Sequence, residues 1–114
     1  MKQQDVIAAL GALAQDSRLE VFRLLVRTGK DGLAAGDIAQ RLGIPASSLS
    51  FHLSQLHEAG LVTQRREGRS LIYSADYPRM NALMAFLTEN CCEGEGCEAN
   101  DGLRSGGPRT AGAC

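Results

Sequence analysis

The feature that most constrains this chain is a change of hydrophobic period at Gly60. Apolar residues recur at helical spacing before it and alternate over two short runs after it. A fold that accepts both must set several helices beside a small β-hairpin. With 114 residues there is room for one such core and a tail.

Val6, Leu10 and Leu13, with Ile7 beside them, predict a first helix, and Gly11 within it predicts close packing against a neighbour. Asp16 or Ser17 offers the next N-cap, with Glu20 three residues after Ser17 as in a capping box. Leu19, Phe22 and Val26, with Leu25, predict the buried stripe of that second helix, which Gly29 ends. Lys30 to Leu33 reads as a connector. Ala35 to Leu42 reads as a short helix turning Ile38, Ala39 and Leu42 inward. Gly43-Ile44-Pro45 is a tight turn, because proline fixes φ and lacks only a donor that the first turn of a helix leaves unused. The helix it opens runs to about Ala59. Two helices joined by a short glycine-bearing turn are the mark of a helix-turn-helix.

Leu61 to Arg66 and Leu71 to Ser74 then read as strands around Glu67-Gly68-Arg69-Ser70, a hairpin with a basic tip. Pro78 opens a last helix in which Met80, Leu83, Met84 and Leu87 fall at i, i+3, i+4 and i+7, with Phe86 widening the stripe. The expected fold class is mostly α with a β-hairpin wing (α+β), a winged helix-turn-helix in the order α-α-α-α-β-β-α. Residues 1–90 form the expected folded domain and 91–114 a cysteine-bearing tail. Its stretch 98–114, rich in Gly, Ala and Ser with Pro108, has a composition expected to stay disordered.

On a helical wheel of about 100° per residue, Leu49, Leu53 and Leu56 make one stripe, with His52 at its margin. The opposite side presents Ser47, Phe51, Ser54 and Glu58, flanked by Ser48 and Gln55. Small hydroxyl and amide side chains let a helix backbone approach the major groove and bond to phosphates or base edges, and Phe51 can touch thymine methyl groups. A plain amphipathic surface helix would carry the same serines. The position after a Gly-Pro turn and before a basic hairpin favours double-stranded DNA. The expected contacts are Ser47, Ser48, Ser50, Phe51, His52, Ser54 and Gln55 from the helix. Arg65, Arg66 and Arg69 join them from the hairpin, where they can follow phosphates or the minor groove. His57 reads as a surface residue, and neither histidine is assigned to a metal.

Charge alone does not decide the partner. The net charge is −1. Residues 1–87 carry ten Lys and Arg against eight Asp and Glu, whereas residues 88–114 carry two against five, so an acidic tail masks a mildly basic body. No run approaches the roughly 20 apolar residues of a membrane span, and the first residues lack a signal-peptide layout. A cytoplasmic location, with no membrane partner, is expected.

All four cysteines, Cys91, Cys92, Cys97 and Cys114, follow the last helix, among Glu, Gly and Asn. A Cys91–Cys92 bond would join Cα atoms about 3.8 Å apart, below the usual span of a disulfide. Cytosolic thiols also stay reduced. Free thiols are expected.

The run Gly43-Ile44-Pro45-Ala46-Ser47-Ser48-Leu49-Ser50-Phe51-His52-Leu53-Ser54-Gln55-Leu56, followed by Ala59-Gly60-Leu61-Val62, resembles the ArsR/SmtB family of metal- and metalloid-responsive repressors. Ala14-Gln15-Asp16-Ser17-Arg18-Leu19 and the wing Arg65-Arg66-Glu67-Gly68-Arg69 extend the likeness over about residues 5–90. The resemblance implies a homodimer that pairs through its first and last helices, here Val6, Leu10, Leu13, Met80, Leu83, Met84 and Leu87. It also implies repression from a palindromic operator until an inducer binds. Leu33 to Ile38 has no cysteine where the best-known arsenic sensors of the family carry a pair. The last helix lacks the Asp/His and His/Glu pairs of the zinc sensors. Leu87-Thr88-Glu89-Asn90-Cys91-Cys92 with Cys97 instead resembles a subgroup of arsenic-responsive repressors with a C-terminal cysteine site.

Trivalent arsenic is thiophilic and takes three thiolates in a pyramid, and antimony(III) behaves similarly. Cys91 and Cys92 can offer two sulfurs, and the glycines between Cys92 and Cys97 can bring the third around. Arsenite is the expected inducer. Recruiting Cys114 would give the four ligands that zinc prefers, so zinc or cadmium stays open. So do a thiol-redox switch with Cys97 as resolving thiol, and a metal buffer without a link to DNA. A thiol enzyme such as a reductase ranks last, since it needs a lowered thiol pKa near a helix N-terminus or a basic group, and these thiols follow a helix C-terminus among acids. No enzyme activity is expected.

Overall fold

The computed structural model describes residues 1–90. The tail 91–114, with all four cysteines, lies outside the described residues. The elements run α1 (Gln3–Leu13), α2 (Asp16–Thr28), β1 (Leu33–Ala34), α3 (Ala35–Leu42), α4 (Ala46–Glu58), β2 (Val62–Glu67), β3 (Ser70–Ala75) and α5 (Tyr77–Leu87). The helices and the hairpin are those expected from periodicity. β1 is an addition, formed by part of the supposed connector.

Helix ends are closed by specific side chains. The Asp5 carboxylate accepts the Lys2 N–H at 3.2 Å, tying down the start of α1. At its other end Arg18 Nε donates to the Ala12 carbonyl at 2.7 Å, covering a group that the helix itself leaves without a partner. The cap of α2 is Gln15, whose Oε1 accepts the Arg18 N–H at 3.0 Å. The cap therefore falls one residue before Asp16 and two before Ser17, the two positions expected. Asp16 instead occupies the first turn, where a carboxylate suits the positive end of the helix dipole.

The core gathers Val21, Leu25, Ile38, Leu49, Leu53, Leu56 and Leu61, all fully buried. The buried side of α2 is Val21, Phe22, Leu24 and Leu25. It is rotated from the expected stripe: Leu19 is 43% exposed and Val26 half-buried. The reason is that α2 packs against α1, α3, α4 and β3 together, so four neighbours choose its inner side. In α3, Ile38 is buried while Ala39 and Leu42 are half-buried. Gly11, expected in a close contact, faces open space within the chain.

Met1–Leu83 form one compact unit, and a second begins at Met84, inside the span of α5. In the first unit α1 buries Val6, Ala9 and Ala12, and α5 buries Leu83. In the second, Met84 and Leu87 are exposed and Phe86 is half-buried.

The sheet has the order β1-β3-β2, antiparallel throughout. Leu33 pairs with Tyr73 and Ala34 with Ile72, while β2 and β3 pair from Val62 with Ala75 to Glu67 with Ser70. The hairpin loop is therefore two residues, Gly68-Arg69. Gly68 stands at φ +63°, which suits the first central position of a tight hairpin turn whose twist matches its strands. Gly32 is needed for a different reason. It has φ +71°, and a Cβ there would run into the Tyr73 carbonyl oxygen. Only glycine lets the chain pass close enough to β3 for β1 to pair. The start of α5 is fixed by Tyr77, whose hydroxyl donates toward the Val26 carbonyl at 2.8 Å and lies 3.3 Å from that of Leu25. Both are last-turn carbonyls of α2: that of Leu25 also accepts the Gly29 N–H at 3.3 Å, whereas that of Val26 has the Tyr77 hydroxyl as its donor.

Candidate nucleic-acid interface

Pro45 stands at the N-cap of α4 with φ −59° and ψ 143°, an extended backbone from which the helix begins cleanly. From there the spacing of Leu49, Leu53 and Leu56 turns one side inward, where they are at most 1% exposed. The same rotation leaves Ser47, Ser48, Ser50, Phe51 and Ser54 exposed, with His52 and Gln55 half-buried at the margins. The hydroxyl face expected from the wheel is thus presented as one solvent-facing surface. Phe51 is 58% exposed. Its ring meets that of His52 edge-on, with centroids 5.9 Å apart and planes at 61°. This contact restricts a side chain that has no core to enter. His52 Nδ1 is buried without a hydrogen-bond partner among the described residues, so the face carries an unspent polar atom at its edge.

The wing arginines divide. Arg65 is held on two sides: its Nε contacts Glu67 Oε2 at 2.8 Å, and its NH2 group donates to the Asp31 carbonyl at 2.9 Å. It braces the wing against the loop before β1. Arg66 and Arg69 are exposed and make no ion pair within the described residues. The Asp31 carbonyl was not legible in the sequence, because a connector has no periodicity to mark it.

On the expected pairing helices, Val6 is 3% and Leu83 5% exposed. Both serve the core of the single chain instead of offering a surface, because each lies on the inner side of its helix. Leu13 and Met80 are half-buried, and Leu10, Met84 and Leu87 are exposed. Ile7, at 61% exposure, is the most open large apolar residue of α1. Among the described residues no group of three or more His, Cys, Asp or Glu is placed to hold a metal ion. No described helix is long and apolar enough to cross a membrane. The thiols Cys91, Cys92, Cys97 and Cys114 lie outside the described residues.

A short helix, a tight turn, a polar-faced second helix and a hairpin wing define a winged helix-turn-helix protein. Residues 13–65 match a helix-turn-helix domain family model. The nodulation protein NolR of Rhizobium meliloti is 32% identical over 91 residues, covering 77% of this chain and 72% of NolR. A candidate arsenical resistance operon repressor, ArsR, of Halobacterium salinarum is 38% identical over 81 residues, 71% of this chain and 61% of that protein. The chain belongs to the ArsR-like family of winged-helix transcriptional regulators. The same fold is seen in an ArsR-like transcriptional regulator from Rhodococcus sp. RHA1, with a TM-score of 0.70, 21% identity, and coverage of 94% of this chain and 96% of that one.

Proposed function

We propose that this regulator is a homodimeric repressor that leaves a palindromic operator when trivalent arsenic, or antimony, binds Cys91, Cys92 and Cys97. The observation that carries the DNA half is the exposed Ser47–Ser54 face of α4 beside a wing with two arginines that make no ion pair among the described residues. Serine hydroxyls and the wing cations position the protein on phosphates, and the face around Phe51 and Gln55 reads base edges. Pairing of two chains is supported by Ile7 and Leu10 on α1 and by Met84 and Leu87 on α5, large apolar side chains left open to water.

The sensing half rests on the chemistry of the donor set. Three thiols within seven residues fit a soft trivalent ion that takes three sulfurs, and binding displaces the thiol protons. The relative from Halobacterium salinarum supports arsenic as the signal. Cys91 stands four residues after Leu87, the last residue of α5. A ligand gathered there acts at the exit of a helix that carries part of the pairing surface.

The test is operator binding by the full reduced chain, titrated with arsenite, antimonite, zinc and cadmium, for the parent and for Cys91→Ser, Cys92→Ser, Cys97→Ser and Cys114→Ser. Arsenite should release the parent and the Cys114→Ser variant while the other three stay bound. Release by zinc that requires Cys114 would replace this reading with a four-thiol site. Release by peroxide alone, reversed by a reductant, would replace it with a redox switch.

A further inference from the structure

The wing and α4 enclose a crevice that the contacts above leave unused. Its volume is about 230 Å³, and it lies between the start of α3, α4 and β3. Leu49, Leu53 and Leu71 give it an apolar lining, and Ser50 and Tyr73 add two hydroxyls. Ser50 is exposed and belongs to the polar face of α4, so the crevice continues that face; Tyr73 is half-buried.

Strand register decides which cation stands beside it. Residues directly opposite in an antiparallel pair share a face of the sheet. Arg66 is opposite Leu71 and Gln64 opposite Tyr73, so Arg66 and Gln64 stand on the crevice side. Arg65 is opposite Ile72 and stands on the other side, where Asp31 and Glu67 hold it. An apolar floor with hydroxyls, an amide and a guanidinium at its edge is amphipathic in the same way as a deoxyribose joined to its phosphate. Tyrosine, serine and arginine are among the side chains that bond phosphate oxygens.

We propose that this crevice seats one sugar–phosphate unit of duplex DNA, with Ser50, Tyr73 and Arg66 donating to the phosphate, while Arg65 braces the wing without touching DNA. The assignment rests on the DNA-binding reading and adds to it a backbone clamp between the recognition helix and the wing. Gln64 and Tyr73 join the interface, and Arg65 leaves it.

The test is fluorescence anisotropy of a labelled mixed-sequence duplex with the full reduced chain over a salt series. Arg66→Ala should make the slope of log affinity against log salt shallower by about one per bound chain, so about two for the dimer, because each chain loses one phosphate contact. Arg65→Ala should keep the parent slope. Tyr73→Phe, which keeps the ring and the fold, should weaken binding about three- to ten-fold at every salt with the slope unchanged. An unchanged slope for Arg66→Ala, a lost contact for Arg65→Ala, or parent affinity for Tyr73→Phe overturns the clamp while DNA binding stands. A parent chain that binds no duplex at all removes both.

Discussion

Phe51 is the residue whose place asks most for an explanation outside the chain. More than half of its surface meets water, at 58% exposure, and its one aromatic contact is with His52. Removing it should leave stability within about 0.5 kcal/mol of the parent, as for other surface changes. Operator affinity should fall by about 1 kcal/mol if the ring packs on a thymine methyl. Thermal unfolding and anisotropy of Phe51→Ala check both, and a loss of stability with unchanged affinity would make Phe51 a structural residue. Tyr77 behaves oppositely. Its hydroxyl serves the carbonyls at the end of α2 and is part-buried. Tyr77→Phe should cost about 1–2 kcal/mol in urea unfolding, since the Val26 carbonyl loses its donor.

At the scale of elements, the weak joint is β1, two residues long and paired with β3 only because Gly32 passes against Tyr73. Gly32→Ala should destabilise the chain by about 2 kcal/mol or more, through a positive φ and a backbone clash. Parent-like hydrogen exchange at Leu33 and Ala34 in that variant would show that the close approach is not needed. β1 could not be read from the sequence, because its pairing is long-range and a two-residue strand has no period. α4 was legible because Leu49, Leu53 and Leu56 are the large aliphatic residues of an otherwise polar segment, and burial followed them. α2 was harder. Leu19, Val21, Phe22, Leu24, Leu25 and Val26 supply more apolar positions than one face needs, so tertiary neighbours and not periodicity selected the buried four. The hairpin was visible as alternation, yet its register, and with it the opposite faces on which Arg65 and Arg66 stand, followed from strand pairing alone.

At the scale of the whole molecule, two chains are needed for a palindromic operator, and the exposed apolar residues of α1 provide a test. The double variant Ile7→Glu, Leu10→Glu should fold as a single chain, because both side chains are open to water at 61% and 42%. It should sediment as a monomer and bind the operator more weakly. A dimer that survives this change pairs elsewhere. The account as a whole stands on a linkage between thiols and DNA, and linkage is reciprocal: whatever factor arsenite takes from operator affinity, operator must take from arsenite affinity. The most direct measurement is therefore the arsenite affinity of the reduced protein, free and saturated with operator, read from thiolate-to-arsenic absorbance. A drop of roughly 5- to 150-fold on the operator, the usual span of allosteric coupling, is the expected result. Equal affinity in the two states would contradict it and leave the cysteines without a part in regulation.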